Sequence, residues 1–399
     1  MDFDDNAIFK VGLGRIEKSP FLHKYSNDKL VNGVYANRLF PISWGDNPEQ
    51  GYRTLRSKSV LFDCPHRPIE ISGPESLVFL EKILTRSMSD LKIGKARYSL
   101  ACQADGGILM DGVVMRLSDS CFWFAKADGE FDRWLEAHSM EFNVNLRAPD
   151  SRVLQIQGPT SLDVLKKLTG GMLDESFGYY NVDWFQIGGQ KLLVSRSGFT
   201  GELGYEIYTN GDATSCDKLW DFIVSVGKEY GLTALPLQVM DIRRIESGIR
   251  NNRTDLDETM TPYQAGLGEF VELNKADFIG RDALLNSPRD CLLFGFKSID
   301  KKLTEEVVDF DFLARKSFEN ATISFAEEVI GRVTAIAYSP YLKSLIGNVR
   351  LSKVGNWYEK KVLMLFNGDD KMVVQLCDLP FYDKEKLIPR GLDKNIYIS

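Results

Sequence analysis

The stretch SRSGFTGELGYEIY, residues 195–208, gathers residues that can do chemistry at a spacing no simple turn requires. A hairpin needs about two turn residues, yet this run places Gly198, Gly201 and Gly204 at every third position, with Glu202 and Glu206 as its only anions. Glycines so spaced let a backbone bend sharply and lie close to a flat object. Read as a strand, LGYEIY puts Tyr205 and Ile207 on one face and Glu206 and Tyr208 on the other. With Ile207 toward a core, Glu206 takes the more open face. There its carboxylate can accept two parallel N–H bonds from a planar donor such as a 2-amino-pyrimidinone ring. The alternative is a solvated glutamate on a half-exposed strand.

A second carboxylate, Asp111, lies in DGGILMDGVV between apolar neighbours. Burying it is costly unless it is paired or hydrogen-bonded, and such a site suits proton transfer. Satisfaction by backbone amides near Gly106 and Gly107 is the competing reading. Arg243 and Arg244 flank the apolar stripe Ile242, Ile245, Ile249 of QVMDIRRIESGIRNN. Beside a pocket, Arg244 can fork onto a ligand carboxylate; with Glu246 and Arg250 it can equally form a salt-bridged surface face. Tyr98, Trp184 and Phe199 offer rings that stack on a heterocycle or simply fill a core.

The elements that must position these residues follow from periodicity. Residues 1–60 read as polar and irregular, ending in an amphipathic helical pattern over NPEQGYRTLRSKS that runs into a short apolar stop. RPIEISG reads as a strand and PESLVFLEKILT as a helix with proline at its start. ARYSLACQ, ILMDGVVMRL and CFWFAKA read as further strands of a small α+β unit. The strand–turn–helix pattern repeats from VLQIQGPTSLDVLKKLTG, closed by Gly170 and Gly171. WFQIGGQKLLVSRSG reads as a hairpin on its Gly-Gly turn, and CDKLWDFIVSVGKEYG as an amphipathic helix with Leu219, Phe222, Ile223 and Val226 inward. After about residue 288 short β runs take over, predicting an all-β unit. The fold class is α+β in three parts.

Composition narrows the function classes. The chain has 399 residues, 44% hydrophobic and 26% charged, as in ordinary globular proteins. Its net charge of -7, from 49 basic and 56 acidic residues, argues against a general nucleic-acid or anionic-membrane binder. The acidic MDFDDNAIFK shows no secretory pattern, and no apolar run is long enough for a membrane span. Six scattered cysteines suit reduced thiols in a cytoplasm. Three distant histidines, His23, His66 and His138, do not favour a metal centre or a histidine-dependent triad. The chemistry therefore rests on carboxylates, tyrosines and arginines.

The run 195–208 resembles the folate-binding signature R-x-G-[FY]-T-G-E-x-G-[FY]-E of the glycine-cleavage T-protein (aminomethyltransferase) superfamily. Further family marks stand in order: SVLFD (59–63), DGGILMDGVV (105–114), LQIQGP (154–159), RRIESGI (243–249) and DFIGRDAL (277–284). The resemblance implies a three-domain cloverleaf around a channel for tetrahydrofolate, with no metal. Its first domain would be 1–65 plus 149–265, its second 66–148 plus 266–288, and its last, all-β domain 289–399. Carried across, Glu206 would grip the pterin ring, Asp111 would be the channel aspartate, and Arg244 would lie on the folate tail side. Tyr98, Trp184, Phe199 and Tyr205 join them as cofactor-binding candidates. Within the superfamily, GRIEKSPFLHKY, VYANRLFPISW and RRIESGIRNN look closest to tetrahydrofolate-dependent demethylases such as dimethylsulfoniopropionate demethylase. That branch implies methyl transfer from a small S-, O- or N-methylated substrate to N5 of tetrahydrofolate, with Asp111 taking the proton. Two alternatives stay open. One is an aminomethyltransferase served by a lipoyl-carrier protein, which the intact Thr200–Gly201–Glu202 leaves standing; the other is a folate-binding protein without turnover.

Overall fold

The computed structural model describes residues 13–275, 277–299, 318, 320–366, 368 and 370–393. The reading of residues 1–10 as free of a secretory pattern lies outside them. In chain order, the first part holds the hairpin β1 (Val31–Tyr35) and β2 (Arg38–Ser43), helix α1 (Pro48–Ser57) and strand β3 (Ser59–Cys64). A second part follows with β4 (Arg67–Ser72), α2 (Ser76–Ile83), β5 (Lys95–Cys102), β6 (Ile108–Ser118), β7 (Cys121–Lys126), α3 (Phe131–His138) and β8 (Asn145–Arg147). The chain returns through β9 (Val153–Gln157), α4 (Ser161–Leu168), β10 (Val182–Ile187), β11 (Gln190–Ser195), β12 (Gly204–Tyr208), α5 (Cys216–Gly227), β13 (Leu232–Ala234) and α6 (Gln238–Glu246). After α7 (Arg281–Asn286) come β14 (Leu293–Ser298), β15 (Thr322–Phe325), β16 (Glu328–Ser339), β17 (Ser344–Leu351), β18 (Lys361–Phe366) and β19 (Asp370–Cys377).

These strands build a six-stranded sheet ordered β10-β11-β12-β9-β3-β13, a five-stranded sheet ordered β5-β6-β7-β4-β8, and a closed barrel of β14 to β19. The fold is α+β with an all-β C-terminal unit, as the residue patterns predict. The Gly188–Gly189 turn joins β10 to β11 in the expected hairpin, both glycines at positive φ. Two expectations need correction. The supposedly irregular start contains β1–β2, whose turn uses Ala36 and Asn37 at φ 50 and 59. The apolar stop after α1 is β3, a fully buried inner strand pairing with both β9 and β13.

The six-stranded sheet has two different faces. Leu61, Leu154, Ile156, Tyr205 and Ile207 pack against Leu165 of α4 and Leu219 and Ile223 of α5. Phe62, Cys64, Val153, Leu193 and Tyr208 turn the other way, into a core shared with Met115 and Trp123 of the five-stranded sheet, Val239 and Ile242 of α6, and Ala335 and Ile346 of the barrel. This second core draws residues from all three units. Among the described residues, no helix is long and apolar enough to cross a membrane.

Candidate functional site around Asp111, Glu206 and Arg244

Asp111 stands in the middle of β6, opposite Leu100 of β5, with 8% of its surface exposed. Both carboxylate oxygens are held by side chains. Tyr98 Oη donates to Oδ2 at 3.0 Å, and Asn252 Nδ2 donates to Oδ1 at 3.2 Å. The amide of Gly107, offered above as a partner for this carboxylate, bonds Asp105 instead. Burial pushes the Asp111 carboxyl above its ordinary range, while the Tyr98 and Asn252 bonds pull it back. The result is a carboxylate that holds a proton more readily than an ordinary aspartate, a property suited to proton transfer. The Tyr98 and Tyr35 phenols are pushed up by burial and by the facing Asp111 charge.

Glu206 lies on β12 between Gln155 of β9 and Ser195 of β11. It is 6% exposed, which removes the solvated alternative. Gln155 Nε2 donates to its Oε1 at 2.7 Å, and Ser197 Oγ and Tyr208 Oη each donate to its Oε2 at 2.8 Å. Cys64 and His66, at and just beyond the end of β3, feel the Glu206 charge; burial raises the thiol pKa and lowers that of the imidazole. Two glutamines, Gln155 and Gln157, alternating with apolar residues in VLQIQ are the signal in the chain that could have pointed to Gln155.

The glycines of 195–208 answer to protein groups. A Cβ on Gly198 or Gly204 would fall 2.1 or 2.3 Å from Gln157 Oε1, so the flat object lying against this backbone is the Gln157 amide. Thr200 Oγ1 donates to that amide oxygen at 2.8 Å. At Gly201, with φ +65, a Cβ would lie 2.1 Å from Ser247 Oγ of the turn after α6. Glu202, the other anion of the stretch, is buried between Arg56 of α1 and Arg243 of α6. It ties the loop to two helices.

The face of α6 carrying Arg244 is buried, correcting the surface alternative: Arg244 is 4% exposed. Its Nε donates to Asp241 at 2.6 Å and one terminal nitrogen to Asp255 at 2.6 Å. It also lines a cavity of about 570 Å³ with Tyr35, Cys64, His66, Phe199 and Asn251. Among the sequence candidates, Tyr98 bonds Asp111, and Phe199 and Arg244 line one cavity, two of whose other lining residues, Cys64 and His66, feel the Glu206 charge. Trp184 packs on Trp123 at 6.2 Å, in the seam between the two sheets. Tyr205 lies on the opposite face of β12 from Glu206, in the core under α4 and α5. Asn252, Gln155 and Tyr35 were not singled out by sequence. No group of three or more His, Cys, Asp or Glu among the described residues is arranged to hold a metal ion.

The GCVT N-terminal domain family matches residues 26–275. The chain is 32% identical to an aminomethyltransferase of Thermoanaerobacter pseudethanolicus, across 87% of this chain and 94% of that one. It is also 32% identical to an aminomethyltransferase of a Geobacillus species, over 93% of this chain and 100% of that one. The crystal structure of glycine cleavage system aminomethyltransferase T from Bartonella henselae superposes with a TM-score of 0.78, over 92% of this chain and 99% of that one, at 22% identity, a likeness of fold. These relatives overturn the demethylase expectation. Short scattered motifs carried that branch, whereas the likeness to proteins named aminomethyltransferase runs along nearly the whole chain. The chain belongs to the GCVT N-terminal domain family, the glycine-cleavage T-protein superfamily.

Proposed function

We propose that this protein is a cytoplasmic, tetrahydrofolate-dependent aminomethyltransferase. It would receive an aminomethyl group held on a sulfur of the lipoyl arm of a carrier protein and pass the carbon to tetrahydrofolate, giving 5,10-methylenetetrahydrofolate. The observation that carries the reading is 32% identity over 94% of a relative named aminomethyltransferase. In the balance, the carbon–sulfur and carbon–nitrogen bonds break and two carbon–nitrogen bonds form. The two protons lost from the acceptor nitrogens go to the departing ammonia and to the thiol.

The residues present fit a pterin. Gln155 Oε1 is buried without a partner beside the Glu206 carboxylate, which leaves two neighbouring acceptors for a ring edge rich in N–H donors. Tetrahydrofolate supplies the pair of nitrogens that carry the carbon away. Glu206, itself fixed by three side-chain donors, would orient the ring. Asp111 would accept the proton released as the carbon–nitrogen bond forms and return it to a leaving group. Tyr98 would keep the Asp111 carboxylate aimed and ionised, and Phe199 and Arg244 would wall the cavity against water.

The test is direct. The protein is mixed with tetrahydrofolate and a carrier bearing aminomethylated dihydrolipoyl groups. Ammonia should be released in step with formation of methylenetetrahydrofolate; release independent of tetrahydrofolate, or none in its presence, defeats the reading.

A further inference from the structure

Arg244 is the obvious cation for a ligand carboxylate, yet both carboxylates beside it already hold its charge. Asp241, one turn back on α6, takes Nε, and Asp255 takes a terminal nitrogen. An anionic ligand would have to displace one of them. The more informative direction is outward from Asp255. Its Oδ2 accepts from Arg244 and from the Asn251 amide at 2.9 Å, and its Oδ1 accepts from Thr334 Oγ1 of β16 at 2.6 Å. Asp255 therefore pins the loop 251–256 to α6 on one side and to the barrel on the other. The loop is tight: the Asp255 amide donates to Asn251 O at 2.9 Å and the Arg253 amide to Leu256 O at 2.8 Å. Its second residue, Asn252, is 3% exposed and spends its side-chain amide on Asp111 Oδ1.

We infer that Asn252 is a positioning residue for Asp111, and that Arg244 and Thr334 act on the site by bracing, through Asp255, the loop that carries Asn252. Asp111 sits on the five-stranded sheet, Arg244 on α6 and Thr334 on the barrel. The relay therefore makes the orientation of one carboxylate depend on the seating of all three units. The side chains facing Asp111 are Tyr98 from β5, Tyr35 from β1 and Asn252 from the loop; Tyr98 and Asn252 donate to its carboxylate, and its own backbone amide adds a further bond. Losing the Asn252 donor removes one of the two side-chain bonds that hold the ionised form, so the carboxyl must become harder to ionise.

The kinetic side of this inference rests on the aminomethyltransferase reading, but its main readout does not. The Asp111 carboxyl carbon is followed by ¹³C NMR in the ligand-free protein, assigned by its loss in Asp111→Asn. Asn252→Ala should raise the Asp111 titration by about half a unit to one unit, the worth of one such hydrogen bond. Arg244→Met and the milder Thr334→Val should move it the same way, and Arg244→Met with Asn252→Ala together should shift it no further than Asn252→Ala alone. In turnover, each variant should lower kcat about threefold to tenfold with KM for tetrahydrofolate within about twofold. An unchanged Asp111 titration in Asn252→Ala overturns the inference. Additive shifts in the double variant overturn the relay, as does an Arg244→Met protein that raises KM while leaving the titration in place. If Arg244→Met fails to fold, Thr334→Val decides alone: a wild-type titration there ends the relay. NMR shifts as expected without any turnover would leave the positioning standing and count against the proposed activity instead.

Discussion

Asp111 is held by Tyr98 on one oxygen and Asn252 on the other, in a setting dry enough to favour its neutral form. As a proton acceptor it works ionised, so turnover should rise with pH through a limb displaced above the ordinary carboxylate range. Tyr98→Phe, which removes a donor to the ionised form, should move that limb further up. Asp111→Asn should cut kcat by about 10²-fold or more, the usual worth of a positioned acid–base group, with tetrahydrofolate binding within about threefold. Binding is read by titration calorimetry and turnover by product formation. A variant with wild-type turnover removes Asp111 from the mechanism. The residue types explain what was visible in the chain. A carboxylate inside an apolar strand announces itself because burial is costly, and Glu206 stood out through its glycine-rich surroundings. Asn252 had no such mark: its partner is 141 residues away and an asparagine in a polar loop is unremarkable. Arg244 was visible as a candidate, but its two carboxylate partners, Asp241 and Asp255, were not.

The loop before β12 shows how an element can be read correctly and explained wrongly. Its glycines do mark a close approach, but to Gln157 and to Ser247. Gly201 is the most demanding position, combining a left-handed φ of +65 with the Ser247 hydroxyl in the place a Cβ would occupy. Gly201→Ala should cost roughly 2–4 kcal/mol of stability, from backbone strain plus overpacking, read by urea denaturation. A loss under about 0.5 kcal/mol would mean that the loop moves aside freely. Local turn chemistry made the β10–β11 hairpin legible, because Gly188–Gly189 allows the needed positive φ. The β1–β2 turn was hidden because Ala36 and Asn37 adopt that conformation without glycine. The charge pattern of helix α6 left a salt-bridged surface face open as one reading. Tertiary packing overrides that pattern: α1 and β16 cover it, and Arg243 and Glu246 find each other and outside partners in the interior.

At the scale of the whole molecule, buried polar groups bind the units together. Glu246 of α6 accepts from Tyr52 of α1 at 2.9 Å, Ser339 of β16 at 2.5 Å and Tyr382 of the C-terminal segment at 2.8 Å. Asp63 at the end of β3 does the same for the start of the described chain, accepting from Ser19 and, at 2.7 Å, from Tyr25. Burial pushes its carboxyl up to about 6 despite those bonds. The folded protein then binds a proton that the unfolded chain, with a pKa of about 3.9, releases. Stability should therefore fall as pH rises from about 4 to about 6, and Asp63→Asn should abolish that part of the slope. The wild-type minus variant difference should change by on the order of 2–3 kcal/mol between pH 4 and pH 7. Parallel stability curves for the two proteins would place the Asp63 carboxylate in water. The three-way arrangement itself was legible only as a resemblance of motif order, since the contacts that assemble it join residues far apart in the chain. The central claim concerns what the assembled molecule transfers. A carrier loaded with a ¹³C-labelled aminomethyl group, incubated with the protein and tetrahydrofolate, should give the label by NMR in the methylene bridge between N5 and N10, with unlabelled lipoyl thiol left behind. Label remaining on the carrier, or appearing as a methyl group on N5, would contradict the account.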